Sequence, residues 1–285
     1  MKKYTKVVRY GKQATKATLE NNADIVIMEK LDGANASFKL EDGEIKCFSR
    51  NTELSNEDGL RGFYQWVHQN ISKHDLPEGI IFYGEWLVKH KLDYGANENQ
   101  FYLFDIYDEE TEKYVPFNIV EKTADMLELK TVPVFYKGQF QSLEHIQSFV
   151  GKSHLGEIGE GVVVKNYKYE DKHGVQLFTK FVSDEFAEKQ QVKKHRVSPS
   201  VDLLDDFVGS YLTEARVNKI IHKMVDENIL EEDFDLTDMG TILKNAGGRV
   251  YEDIISEELD DLLKHVKAKI GKKLPVVVKQ VITNK

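Results

Sequence analysis

Cysteine is nearly missing: Cys47 is the only one in 285 residues. One thiol closes no internal disulfide, and without a CxxC pair or a Cys/His cluster the chain offers no thiolate zinc site. Both absences agree with a reducing compartment, and the cytoplasm is the expected one. Long apolar runs are lacking too. No stretch approaches the roughly 20 residues needed to cross a bilayer, and the opening MKKYTKVVRYGKQ has no apolar signal-peptide core, so no membrane partner is expected. None of the nine histidines falls into an H-x-x-x-H or H-E-x-x-H spacing on a predicted helix, which leaves no histidine metal motif. No internal repeat or low-complexity tract is visible.

What is present fits a packed globule: 41% of the residues are hydrophobic, and the length allows one large domain with a small accessory one. The net charge of -9 argues weakly against a polyanionic partner, but its distribution matters more than its sum. Lys2, Lys3, Lys6, Arg9, Lys12 and Lys16 come before any acid, and a second basic run spans Lys189 to Arg196. Either could follow a phosphate backbone, or merely keep the chain soluble.

From Asp24 to about Lys180 short runs rich in Val, Ile, Phe and Tyr alternate with turn signals such as Glu41-Asp42-Gly43-Glu44. The pattern predicts an α+β domain with antiparallel sheets. Helices are expected over Glu57 to Ser72, Asn118 to Leu129 and Ser142 to Val150. After Arg196 the texture becomes helical, over Asp202 to Val225 and Ser256 to Lys269, which predicts a domain 1–197 followed by a helical domain 198–285. Leu274 to Val278, with Pro275, reads equally as a final helix or a strand.

The segment Met28 to Asn35, MEKLDGAN, follows one predicted strand and precedes another. Lys30 thus stands at a strand end beside Gly33, a geometry suited to a covalent nucleophile that a phosphate must approach closely. Alone, such a string fits a surface hairpin with a solvated lysine equally well.

Further motifs follow in order. Lys30-Leu31-Asp32-Gly33, Ser49-Arg50, Tyr83-Gly84-Glu85-Trp86, Phe101 to Ile106 (FYLFDI), Glu160 to Lys165 (EGVVVK) and the strand around Lys180 together resemble motifs I to V of the covalent nucleotidyltransferases, which include polynucleotide ligases and messenger-RNA capping enzymes. Alone, FYLFDI reads as a buried strand and EGVVVK as a strand with charged ends; their order gives them weight. The helical tail, Gly209 to Ile221 in particular, is similar to the small C-terminal domain of the RNA ligase 2 family. That resemblance implies an antiparallel-sheet nucleotidyltransferase domain, ATP-grasp-like, followed by a small all-helical domain.

It also implies a chemistry. Lys30 would attack the α-phosphorus of ATP, giving lysyl-AMP and pyrophosphate; AMP would pass to a 5′-phosphate end, and a 3′-hydroxyl would then displace it. The amine must be neutral to attack, so Lys180 or a metal ion is expected to depress its pKa. By the same resemblance Arg50 contacts phosphate or the incoming strand, Glu85 the ribose, Phe104 the purine ring and Lys165 the triphosphate. Glu29 and Asn35 fix base and phosphate, and Glu160 places Mg²⁺. The strand Leu177 to Val182 departs from relatives, which carry two lysines one residue apart; Lys180 can align with either.

Only 29 residues precede Lys30, too few for the nicotinamide-reading domain of NAD-dependent ligases, so ATP is the expected donor. The expected partners are RNA ends, at a nick in duplex RNA or in an RNA–DNA hybrid, met by a monomer and recognised through backbone shape and 2′-hydroxyls. Two alternatives remain: a GTP-using capping enzyme, and an RNA-binding protein that keeps the fold without ligation.

Overall fold

The computed structural model describes all residues except 12, 21, 58, 172, 184–207 and 284–285. The basic run from Lys189 to Arg196, the boundary expected near residue 197 and the start of the helix expected from Asp202 lie outside the described residues. The chain divides into two compact units, Met1–Ala187 with His222–Glu231, and Glu188–Ile221 with Glu232–Lys285.

In the first unit the strands are β1 (Val8–Arg9), β2 (Asp24–Lys30), β3 (Ala34–Glu41), β4 (Glu44–Ser49), β5 (Ile80–Trp86) and β6 (Phe101–Asp108). They continue with β7 (Lys113–Tyr114), β8 (Lys130–Thr131), β9 (Val134–Gln139), β10 (Gly161–Lys165) and β11 (Thr179–Val182). One sheet runs β1-β11-β10-β2-β9, the other β4-β3-β5-β6-β7, with β8 beside β6. Pairing is antiparallel except for β1 with β11 and β6 with β8. The expected α+β architecture with antiparallel sheets is what forms.

Alternation of side chains along the strands sorts the apolar residues into separate layers. Phe38, Phe82, Trp86 and Phe101 enter the largest core, and Ile25, Ile27, Val162, Val164 and Phe181 a second. A third joins Ile81, Tyr83 and Tyr107 of one sheet to Phe178, just before β11, with Tyr4 between them and Val163 of β10 packed alongside.

Helix α1 (Phe63–Asn70) starts later than the expected Glu57 because Leu60, Arg61 and Gly62 all take left-handed backbone angles, which stops a right-handed helix from extending through them. Helix α2 (Phe117–Met126) begins after Pro116 as expected. The short α3 (Leu143–Gln147) is capped by the Ser142 hydroxyl, which accepts the His145 N–H at 3.1 Å. The described residues after Val182 contain helices and no strand: α4 (Glu214–Asp226) and the 45-residue α5 (Met239–Thr283). Leu274 to Val278 lies inside α5, with Pro275 leaving one interior carbonyl without its usual N–H partner.

In the second unit, Arg216 of α4 is fully buried. Its guanidinium donates to Asp253, to Glu258 at 3.3 Å and to the Tyr211 carbonyl at 3.0 Å.

Candidate active site

Lys30 is the last residue of β2 and Ala34 the first of β3, so Leu31 to Gly33 carry the chain from one sheet into the other rather than closing a hairpin. The turn is held from several sides. The Gly33 N–H donates to the Glu85 carboxylate at 3.0 Å, and the Asp32 N–H to the Tyr94 hydroxyl at 2.8 Å. The Asp32 carboxylate accepts the N–H groups of Lys91 and Leu92, both at 3.0 Å. Gly33 has no room for a side chain: a Cβ there would sit 2.6 Å from the Trp86 carbonyl oxygen.

Across the sheet, Lys30 pairs in register with Gly161, and the residue before it, Glu160, reaches over the glycine to Lys30, Oε2 to Nζ 2.5 Å. Gly161 has no room for a side chain against the neighbouring strand β11: a Cβ would meet the Phe181 carbonyl oxygen at 2.1 Å. Burial pulls the Lys30 amine down, but Glu160, Glu85 and Asp32 outweigh it and hold the amine well above the ordinary lysine value. The expected depression by Lys180 is therefore not what this arrangement gives. The charge of Lys180 falls on Glu160, whose carboxyl burial raises while Lys30 and Lys180 pull it back down. The three acids around the amine set its direction.

Asn35 and Glu85 face each other across β3 and β5. Burial pushes the Glu85 carboxyl up to about 7, against the pull of Lys30 and His90. These residues, with Lys30, Glu160 and Lys180, gather where the two sheets meet.

Other expected site residues do not join them. Lys165 is buried with its ammonium 2.6 Å from the Asp105 carboxylate and 2.9 Å from the Phe104 carbonyl oxygen, among the rings of Tyr4, Phe104, Tyr167 and Phe178. Its ammonium is directed at these interior partners. Glu29 alternates with Lys30 along β2, and its carboxylate is held by the Ser153 hydroxyl and, at 2.9 Å, by the His154 N–H. Arg50, just past β4, is exposed. Phe104 is the bulged residue of β6 and packs on Tyr4 at 4.8 Å between ring centroids.

Sequence reasoning passed over Asp32, Asp105 and His90. The first two lie inside quoted motifs. His90 sits between two carboxylates, Asp32 at 3.7 Å and Asp226 at 3.3 Å, with Arg61 3.7 Å from Asp226. Nothing in the sequence links His90 to a residue so far along the chain.

The model of a protein family described as RNA ligase matches residues 23–182, more than half of the chain and every motif named above. The chain belongs to the RNA ligase family. No curated protein sequence matches it. Similar solved structures include three of Naegleria gruberi RNA ligase. One, with pyrophosphate, is 20% identical at a TM-score of 0.47 over 65% of this chain and 57% of that one. A variant with ATP and manganese is 19% identical, TM-score 0.47, over 65% and 56%. A variant with AMP and manganese is 20% identical, TM-score 0.48, over 65% and 57%. The matched part thus spans a little over half of the Naegleria chain. Among the described residues of this family member, no helix is long and apolar enough to cross a membrane.

No group of three or more His, Cys, Asp or Glu among the described residues could hold a metal ion by itself. Of the three acids around the nucleophile, Glu160 is the one in contact with the Lys30 amine. That fits a divalent cation bound by one carboxylate together with the phosphates of a substrate.

Proposed function

We propose that the chain is an ATP-dependent RNA ligase that joins 3′-hydroxyl and 5′-phosphate ends through a lysyl-AMP on Lys30, at nicks in duplex RNA. The observation that carries the reading is the position of Lys30: a strand-end amine, fixed by the turn to β3, with Glu160 in contact and Glu85, Asn35 and Lys180 close by. Family membership supports it. Residues 1–197 would carry the chemistry and residues 198–285 would form an accessory helical domain.

In the first step the Lys30 nitrogen bonds to the α-phosphorus, the bond from that phosphorus to the bridging oxygen breaks, and pyrophosphate leaves with the electron pair. The resting amine is protonated and paired, so it must give up a proton and its partner before it attacks. A divalent cation at Glu160, when bound, would neutralise charge on the phosphoryl oxygens. Glu85, raised by burial and already anchored to Gly33, offers its second oxygen to a ribose hydroxyl. Lys180 attracts phosphate.

The test is the intact mass of the protein after incubation with magnesium and either ATP or GTP, beside Lys30→Ala. One added AMP from ATP, missing in the variant, is expected. A GMP adduct would move the chain to the capping branch. No adduct with either nucleotide, after pyrophosphate has stripped any pre-formed AMP, would leave a binding protein with a ligase fold.

A further inference from the structure

We infer that Arg9 is a phosphate-binding residue of the site, holding an outer phosphate of the nucleotide or the phosphate of the RNA end; the inference rests on the ligase reading above. Strand register gives its direction. Arg9 of β1 pairs with Lys180 of β11, Lys180 with Val163 of β10, and Val163 with Met28 of β2, so the four side chains leave the same face of the sheet. The neighbours of Arg9 confirm the face. Val7 packs into the cluster between the sheets, while Tyr10 packs into the cluster on the other side and stacks on Phe181 at 5.0 Å.

Arg9 therefore points the way Lys180 and Lys30 do. Its Nη2 is buried and has no hydrogen-bond partner among the described residues. A buried guanidinium nitrogen left without an acceptor is costly, and two cations side by side on neighbouring strands repel. One anion between them removes both penalties, and the planar fork of arginine matches phosphate oxygens better than lysine does. On this face β11 contributes one lysine, Lys180, and in the row of Lys30 it presents Val182; β1 brings the second cation.

Distance selects the phosphate. Three strand spacings of roughly 4.8 Å separate Arg9 from β2, so its guanidinium is better placed for a phosphate over β1 and β11 than for the α-phosphorus that bonds to Lys30. The outer phosphates of ATP or the phosphate of the RNA end are within its range.

Arg9→Met and Arg9→Lys separate the possibilities. Tm without ligand should not fall in either, because β1 is a two-residue edge strand, and in Arg9→Met it should rise somewhat, since the unmatched buried donor and the repulsion with Lys180 are gone. Arg9→Met is expected to lower ATP affinity, read from the Tm shift produced by ATP without metal, by about tenfold or more, with part restored by lysine. A loss in that arm assigns the outer nucleotide phosphates. Normal ATP binding with a similar loss in single-turnover sealing by enzyme already carrying AMP assigns the RNA phosphate. An Arg9→Met protein that binds ATP and seals like the parent overturns the inference. If the parent takes up no AMP the ligase reading fails, and the ATP-dependent Tm shift still decides whether Arg9 holds phosphate.

Discussion

The Lys165 ammonium lies 2.6 Å from the Asp105 carboxylate in the interior, where the hydroxyls of Tyr4 and Tyr167 also donate to that carboxylate. Burial drives the Lys165 pKa down, and Asp105 only partly restores it. Motif order marks Lys165 for a triphosphate, yet its charge is consumed in holding β6 against β10. Removing the acid strands a buried ammonium, so Asp105→Ala should lose about 3–5 kcal/mol in urea unfolding. Replacing both partners, Asp105→Leu with Lys165→Met, should recover part of the loss. A single variant within about 1 kcal/mol of the parent would show that the pair does not hold the sheets.

Gly33 is fixed by packing as much as by chemistry. A methyl group there would stand 2.6 Å from the Trp86 carbonyl oxygen and 3.0 Å from Cγ of Glu85, and backbone cannot step aside as a flexible side chain can. Gly33→Ala should destabilise by roughly 1–3 kcal/mol. Because the displaced turn carries Lys30, it should also slow AMP uptake by about a hundredfold, the effect of small misplacements near a nucleophile. Equal uptake rates for parent and variant in a quenched time course would refute the coupling between turn and amine.

How much of this was written in the sequence depends on the range of the interaction. Lys30 at a strand end, the helical tail and the antiparallel sheets follow from local alternation, turn signals and motif order, all of which act within a few residues. The Lys30–Glu160 contact was approached only as two motifs in the right order. That the carboxylate lifts the amine's pKa depends on a distance no spacing reveals. Lys165 and Glu29 carry partners that motif order does not reveal. Each sits where a motif places a ligand contact, and each is claimed by a partner far along the chain, Asp105 for one and the Ser153–His154 loop for the other. Arg9 belongs to a run of basic residues that charge counting could read only as a cluster. The register of β1 on β11 singles it out.

His90 should titrate far from an ordinary histidine. Burial lowers its pKa, but Asp226 and Asp32 outweigh burial and lift it to about 9, with Arg61 beside Asp226, Glu85 near and the His222 ring stacked at 4.7 Å. His222 is itself pushed down, by burial and by His90. A folded pKa above the unfolded value of about 6.5 gives stability that is complete below that value and fades as pH rises through about 9. The contribution is at most roughly 3 kcal/mol. Histidine-selective NMR should find a resonance titrating near 9, moved toward the unfolded value in Asp226→Asn. The variant's stability should also lose its decline between pH 7 and 9. A His90 resonance that titrates near 6.5 in the parent would refute the assignment.

In the helical unit, Arg216 plays the part that Lys165 plays between the sheets. Its buried guanidinium meets Asp253, Glu258 and the Tyr211 carbonyl, and Lys219 adds a second cation 2.9 Å from Asp253. Lysine could not replace this fork: one ammonium reaches neither all three acceptors nor the planar geometry that holds them. Arg216→Lys should therefore destabilise the unit almost as much as Arg216→Met, by about 3–5 kcal/mol, since either change takes the fork from the buried Glu258 and the Tyr211 carbonyl and leaves Asp253 to Lys219 alone. Limited proteolysis locates the effect. Cleavage should quicken within α4 and α5 while the sheets around Lys30 keep the parent's resistance, and AMP uptake should persist. If the lysine variant resists protease like the parent, charge alone accounts for the contact and the fork geometry does not matter.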